Sequence, residues 1–220
     1  MSVPGIPFVV AAPSGAGKTT VCHALVAQDP RLVFSVSHTT RPRRSGEREG
    51  VDYHFLERDE FQQLVGKGAF LEHAEYSGHL YGTSWEAIRE PLARGLDVLL
   101  EIEVQGAAQV RERLPEARLV FLLPPSLAEL ERRLRSRNTD SEQEVARRLE
   151  IARREIRQVE HFHYAVVNDA VERAARELLS VIRAEREGRA EPLAKRLAPG
   201  ALSPTLRRAL ELPDAGREMG

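Results

Sequence analysis

Apolar positions along the chain follow two rhythms. Ile6-Pro7-Phe8-Val9-Val10-Ala11 is an unbroken apolar run rich in β-branched residues, and Asp97-Val98-Leu99-Leu100-Glu101-Ile102, Arg118-Leu119-Val120-Phe121-Leu122-Leu123 and Ala165-Val166-Val167 repeat the pattern. Runs without polar alternation suit strands covered on both faces, as in a parallel sheet. Helical spacings separate them. Val21, Leu25 and Val26 share one face of a helix expected over residues 19–27. Ser126 with Glu129 gives a capping-box signature ahead of Leu127, Leu130 and Leu134, and Ser141 with Glu144 gives another ahead of Val145, Leu149, Ala152 and Ile156. Asp169 with Glu172 is expected to open a further helix, running to about Glu187. Strands that alternate with helices imply an α/β fold with a parallel sheet flanked by helices.

Two stretches break this order. Residues 37–90 mix polar, glycine and aromatic residues with short strand-like pieces such as Tyr53-His54-Phe55, which is the pattern of an inserted subdomain of mixed structure. Arg135-Ser136-Arg137-Asn138-Thr139-Asp140 is polar and charged between two helices, the composition of a mobile flap. After Gly188, Pro192, Pro199, Pro204 and Pro213 mark a tail with one short helix, for which Ser203-Pro204 supplies cap and first turn. The expected organisation is a domain over 1–187, with core segments 1–36 and 91–187, an insert over 37–90 and a lid over 135–147, followed by a tail over 188–220.

Composition narrows the function classes. With 42% hydrophobic residues in 220, the chain can bury a real core. Its 32 basic and 33 acidic residues leave a formal charge of −1, which argues against a nucleic-acid-binding coat. Cys22 is the single cysteine, so an intramolecular disulfide framework is excluded. The apolar runs are too short to span a bilayer, and the N-terminus lacks the basic-then-apolar build of a signal peptide, so a soluble, cytoplasmic protein is expected. The basic residues are nearly all arginine, with lysine at 18, 67 and 195 alone, which draws attention to Lys18.

Lys18 closes the segment Ala12-Pro13-Ser14-Gly15-Ala16-Gly17-Lys18-Thr19, set between an expected strand and an expected helix. Glycines there allow backbone N–H groups to turn inward onto a polyphosphate, and the helix N-terminus adds partial positive charge. Lys18 can reach the β- and γ-phosphates, and the Thr19 hydroxyl can ligate Mg²⁺. Ala12 stands where the general phosphate-loop pattern has its first glycine. Such a loop points to a nucleoside triphosphate, and the acceptor must be read elsewhere. Arg41, Arg43 and Arg44 crowd a loop stiffened by Pro42, where guanidinium forks suit a phosphate monoester; Ser37, Thr39, Thr40 and Tyr53 offer uncharged donors nearby. Further on, Glu72 precedes Tyr81-Gly82-Thr83. A carboxylate in a pocket accepts two parallel hydrogen bonds from the N–H/NH₂ edge of guanine, an edge adenine lacks.

With these motifs together, the chain resembles the guanylate kinases over about Ile6 to Glu187. The resemblance is carried by Ser35-Val36-Ser37-His38-Thr39-Thr40-Arg41, Phe70-Leu71-Glu72-His73-Ala74, Tyr81-Gly82-Thr83 and Glu101-Ile102-Glu103-Val104-Gln105-Gly106-Ala107. It implies a P-loop kinase core with a GMP-binding insert and a closing lid. It also implies phosphoryl transfer from ATP to GMP, and to dGMP, with Mg²⁺ accompanying ATP. By the same resemblance, Ser37, Glu72 and Thr83 contact the guanine base, and Arg41, Arg44, Tyr53 and Tyr81 hold the GMP phosphate. Glu101 lies near the metal and Glu103 near the guanine amino group, both glutamate where the family often has aspartate. Arg137 and Arg148 reach the transferring phosphates from the lid, where Asn138 replaces a common glycine. Asn168 lies near the adenine. Lys18, Arg41, Arg44, Arg137 and Arg148 then form the catalytic set, neutralising two polyanions that would otherwise repel.

Other features carry less. Cys22 shares a helix with Val21 and Leu25 and reads as a core thiol; His161 and His163 lack the partners of a metal set. Three rivals stand beside the kinase reading: a module of the same fold that binds peptides, a kinase of another monophosphate or small phosphorylated acceptor, and, weakest given the charge of −1, a nucleic-acid binder. The nucleotide loop and the arginines speak against the first, and Glu72 with Thr83 against the second.

Overall fold

The apolar runs become strands of one sheet, three of them inner. The computed structural model of the chain describes residues 4–76, 78–136 and 141–214. In chain order it runs β1 (Pro7–Ala11), α1 (Lys18–Val26), β2 (Leu32–Phe34), β3 (His38–Thr39), β4 (His54–Phe55), α2 (Arg58–Gly66), β5 (Phe70–Tyr76), β6 (His79–Ser84) and α3 (Trp85–Ala93). It continues with β7 (Asp97–Glu101), α4 (Val104–Arg113), β8 (Arg118–Leu123), α5 (Leu127–Arg135), α6 (Glu142–Ile156), β9 (Tyr164–Val167), α7 (Val171–Arg186), α8 (Glu191–Leu197) and α9 (Pro204–Ala209). A five-stranded sheet has the order β2-β7-β1-β8-β9, and its pairs β2–β7 and β8–β9 are parallel. The fold is α/β, a parallel sheet flanked by helices. All five residues of β1 are buried, as are Leu119 through Leu123 of β8, so neither strand tolerates polar alternation. Each fully buried Val, Leu or Phe there contributes about 1.5–3 kcal/mol.

Contacts divide the chain into two compact units, Met1–Val9 with Pro30–Arg118, and Val10–Asp29 with Leu119–Gly220. In the first, the buried carboxylate of Asp97 accepts the Ile6 N–H at 2.8 Å, which explains an acid at the start of an inner strand. A second sheet of order β4-β3-β6-β5 lies wholly within residues 38–84, with β5 and β6 antiparallel. In the second unit α1 packs on α7, and Arg186 holds the buried Asp29 at 2.9 Å, tying the ends of the two helices together.

Several local expectations are corrected. The helix after β9 is not opened by Asp169: Ala170 is the N-cap and no side chain caps it, while Asp169 pairs with Arg173 at 2.8 Å. Ser126 and Ser141 do accept the N–H groups of Glu129 and Glu144, but those carboxylates turn to Arg132, Arg133, Arg147 and Arg148. The segment after Gly188 holds α8 as well as α9, and Leu197, Leu210 and Leu212 are buried. Ser203 caps α9 as its sequence implies. Among the described residues no helix is long and apolar enough to cross a membrane.

Candidate active site

The loop between β1 and α1 is shaped by two glycines in left-handed conformation, Gly15 at φ +89° and Gly17 at φ +86°. A side chain at either position is strained, and a Cβ at 17 would also lie 2.7 Å from Asn168 Nδ2. Gly17 is the N-cap of α1; no side chain caps the helix, and no acid stands in its first turn. An N-terminus with that polarity suits an anion. The half-buried Lys18 and the exposed Thr19 open the helix, and Ala12 is buried where the chain leaves β1.

Two side chains brace this loop. Asn168, buried at the end of β9, donates from Nδ2 to the Ala16 carbonyl at 2.7 Å, while its Oδ1 is buried with no hydrogen-bond partner. Arg133 of α5 donates to Ala16 O at 3.4 Å and to Asn168 O at 3.0 Å, and its Nε donates to Glu129 Oε1 at 2.8 Å. Bonds from Arg132 and Arg133 hold the Glu129 carboxyl down at about 2. Sequence reasoning picked out Asn168 but missed Arg133, whose only local signal is its four-residue spacing from Glu129.

A second cluster lies on the four-stranded sheet. Glu72 on β5 stands opposite Thr83 on β6, so both side chains share a face, and both are buried. Ser37 Oγ lies 3.2 Å from Thr83 Oγ1. Two residues along β6, Tyr81 meets the Tyr53 ring edge-on with centroids 6.1 Å apart, and the Arg41 guanidinium sits 5.5 Å from the Tyr53 ring centre. Arg41 donates to Glu47 at 2.7 Å, and the other oxygen of Glu47 accepts the Arg44 N–H at 2.7 Å. That pairing pushes Glu47 below its ordinary carboxylate range and raises Arg41 further. Sequence-predicted Ser37, Arg41, Tyr53, Glu72, Tyr81 and Thr83 are thus brought together, while the Arg44 side chain is exposed. A carboxylate and two hydroxyls at one end, with a guanidinium and two phenols at the other, can grip a molecule that carries both an N–H edge and an anion.

The remaining candidates are placed as follows. Glu101 ends β7, and Glu103 is the N-cap of α4, the helix whose Gly106 abuts Glu72. Arg148 lies on α6, with Nε 3.3 Å from Glu144. Arg137 and Asn138 lie outside the described residues. His38 and His54 turn to the other face of the sheet with rings 4.8 Å apart, and burial together with the nearby His54 lowers the His38 pKa.

Comparison with known proteins bears on the family of the chain. The family model described as guanylate kinase matches residues 5–185. The chain belongs to the guanylate kinase family. It is 54% identical over 179 residues to a guanylate kinase of Thermus thermophilus, covering 81% of each chain. It is 50% identical over 181 residues to that of Syntrophotalea carbinolica, covering 82% of this chain and 86% of the relative. Among solved structures, the guanylate kinase of Anaplasma phagocytophilum superposes with a TM-score of 0.69 at 34% identity, covering 84% of this chain and 87% of that one. This guanylate kinase family member is therefore a nucleotide-binding transferase of the kinase class, and its α8 and α9 lie beyond the stretch that the family model matches.

Proposed function

We propose that this enzyme transfers the γ-phosphoryl group of ATP to GMP, and also to dGMP, yielding ADP and GDP or dGDP respectively. The observation that carries the reading is the buried pair Glu72 and Thr83, with the half-buried Ser37 beside it, on the same sheet face as Arg41, Tyr53 and Tyr81. Glu72, with Thr83 and Ser37, accepts from and donates to the guanine edge, and Glu103 takes part of the exocyclic amino group. Arg41, Arg44, Tyr53 and Tyr81 hold the monophosphate, and Arg41 exchanges Glu47 for it. Residues 37–90 are the proposed GMP-binding insert of a domain spanning 1–187.

ATP is assigned to residues 12–19, with Asn168 beside the adenine. The oxygen of the GMP phosphate attacks the γ-phosphorus, a new P–O bond forms, and the bond to the β-phosphate oxygen breaks. The nucleophile is already ionised at neutral pH, so no general base is required. What the protein supplies is position and positive charge. Lys18, Arg41 and Arg44, joined by Arg137 and Arg148 from a lid over 135–147, neutralise the spread charge, and lid closure excludes water. In this reading the Thr19 hydroxyl and the Glu101 carboxylate, hard oxygen donors of the kind Mg²⁺ takes alongside phosphate oxygens and water, would be the groups that hold the ion. When bound with ATP, the ion would supply positive charge that offsets the polyphosphate. The proposed location is the cytoplasm, where these nucleotides are found.

A coupled ADP-release assay across GMP, dGMP, AMP, CMP and UMP tests the reading. GMP and dGMP should be turned over at least a hundredfold more efficiently than the others; equal use of AMP overturns the base assignment. ATP-dependent thermal stabilisation separates the enzyme from a peptide-binding module of the same fold.

A further inference from the structure

We infer that Gly106 is a positioning residue for guanine selectivity, because it leaves the space that the Glu72 carboxylate occupies. The inference rests on the proposed reading of Glu72 as the base-recognising acid. Helix α4 meets β5 at three points on one stripe, 106, 109 and 113, spaced as one helix face requires. At the middle point the Gln109 side chain grips the backbone of His73 from both sides, its Oε1 accepting the His73 N–H at 3.2 Å and its Nε2 donating to His73 O at 2.7 Å. At the far point Arg113 donates to Leu71 O at 2.9 Å. The strand is therefore fixed immediately before and immediately after Glu72. At the near point a Cβ on Gly106 would fall well inside van der Waals contact of Glu72 Oε2 and 3.1 Å from its Cδ.

With the backbone pinned on both sides, β5 cannot move away from such a Cβ. The carboxylate can, since it is the far end of a rotatable side chain. Gly106→Ala thus displaces the acid while sparing the fold, and alanine's higher helix propensity opposes any loss of stability. Glycine here is a matter of room at the acid.

Steady-state kinetics on Gly106→Ala, Glu72→Ala and the double variant test this. Gly106→Ala should raise KM for GMP by roughly 10- to 100-fold, the range for a lost charge-assisted pair, with KM for ATP and Tm near wild type. The double variant should be no worse than Glu72→Ala alone. Should Gly106→Ala lower Tm, the double variant should restore it, because the clash is gone. An unchanged KM for GMP in Gly106→Ala, with preference lost in Glu72→Ala, overturns the inference and leaves the base assignment standing. Additive losses in the double variant also overturn it. Intact GMP preference in Glu72→Ala removes the base assignment, and the inference with it.

Discussion

Asn168 reaches back across 152 positions of sequence to donate its side-chain N–H to the carbonyl of Ala16 at 2.7 Å. The end of the edge strand β9 thereby sets the shape of the loop that follows the inner strand β1. The bond is buried, so removing the donor leaves Ala16 O with only the longer bond from Arg133 at 3.4 Å, at a cost of about 1 kcal/mol. Asn168→Asp keeps the shape and replaces the donor by an acceptor. It should raise KM for ATP roughly tenfold or more and shrink the ATP-induced rise in Tm, while the GMP-induced rise persists. Differential scanning fluorimetry with each nucleotide alone reads both. Equal losses for ATP and GMP would show that the contact supports the fold in general and not the loop.

Lys18 opens α1 from a half-buried position, directly after a glycine at φ +86°. Its proposed task is to follow charge that builds on the transferring phosphoryl group. Lys18→Ala should lower kcat by on the order of 10²–10³, the scale for one lost electrostatic contact in a preorganised site. Lys18→Arg should recover little, since a planar fork does not replace a point charge in a tight loop. Alanine is a good helix former, so circular dichroism and Tm without nucleotide should stay near wild type. Full turnover in Lys18→Ala would remove this lysine from the mechanism.

Continuous apolar runs made β1, β7, β8 and β9 legible, because a strand buried on both faces leaves no polar position to confuse its period. β2 was not legible: it has three residues, two of them only half-buried, and is held by parallel pairing to β7 more than by its own pattern. The start of α2 escaped for another reason. Its reciprocal cap is made by Glu57 with Glu60, and glutamate is outside the usual N-cap set. Within the site, Glu72, Thr83 and Arg41 stood out because each carries chemistry in its own side chain. Arg133 and Gly106 did not, since they act on residues 35 to 117 positions away or by absence of a side chain, and no local spacing records that.

The Glu129–Arg133 pair gives a pH dependence with a definite sign. Bonds from Arg132 and Arg133 lower the Glu129 carboxyl from 4.5 to about 2 in the folded chain. A depressed carboxylate stabilises the fold above its unfolded value, and that contribution fades as pH falls from 4.5 toward 2. The Tm of wild type should therefore exceed that of Glu129→Gln at pH 6, and the gap should close over that window. Because Arg133 also braces Ala16 and Asn168, Glu129→Gln should weaken ATP binding several-fold at neutral pH as well. Thermal scans at half-unit pH steps check the first point and ATP titration the second; a gap in Tm constant from pH 6 to 2.5 would rule out the pair as its source.

Arg207 is 3% exposed and holds the C-terminal segment to the rest of its unit. Nη1 donates to Pro213 O at 2.8 Å; Nη2 donates to Pro199 O at 2.8 Å and to Glu160 at 2.9 Å. Nearby, Glu211 adopts φ +55° and pairs with Arg153 of α6 at 3.1 Å, so the chain is bent back onto the helix that carries Arg148. Arg207→Met removes its bonds to Pro199 O, which keeps the Leu202 N–H at 3.2 Å, to the exposed Pro213 and to Glu160, a loss of about 1–3 kcal/mol that for a chain of this length lowers Tm by roughly 2–12 °C. Arg207→Lys should not rescue, because one ammonium cannot reach three acceptors arranged for a fork. Truncation after Gly188 should lower Tm further, since Leu197, Leu210 and Leu212 also leave the core. A truncated chain as stable as the full one would mean that this segment, outside the stretch the family model matches, contributes nothing to holding α6 in place.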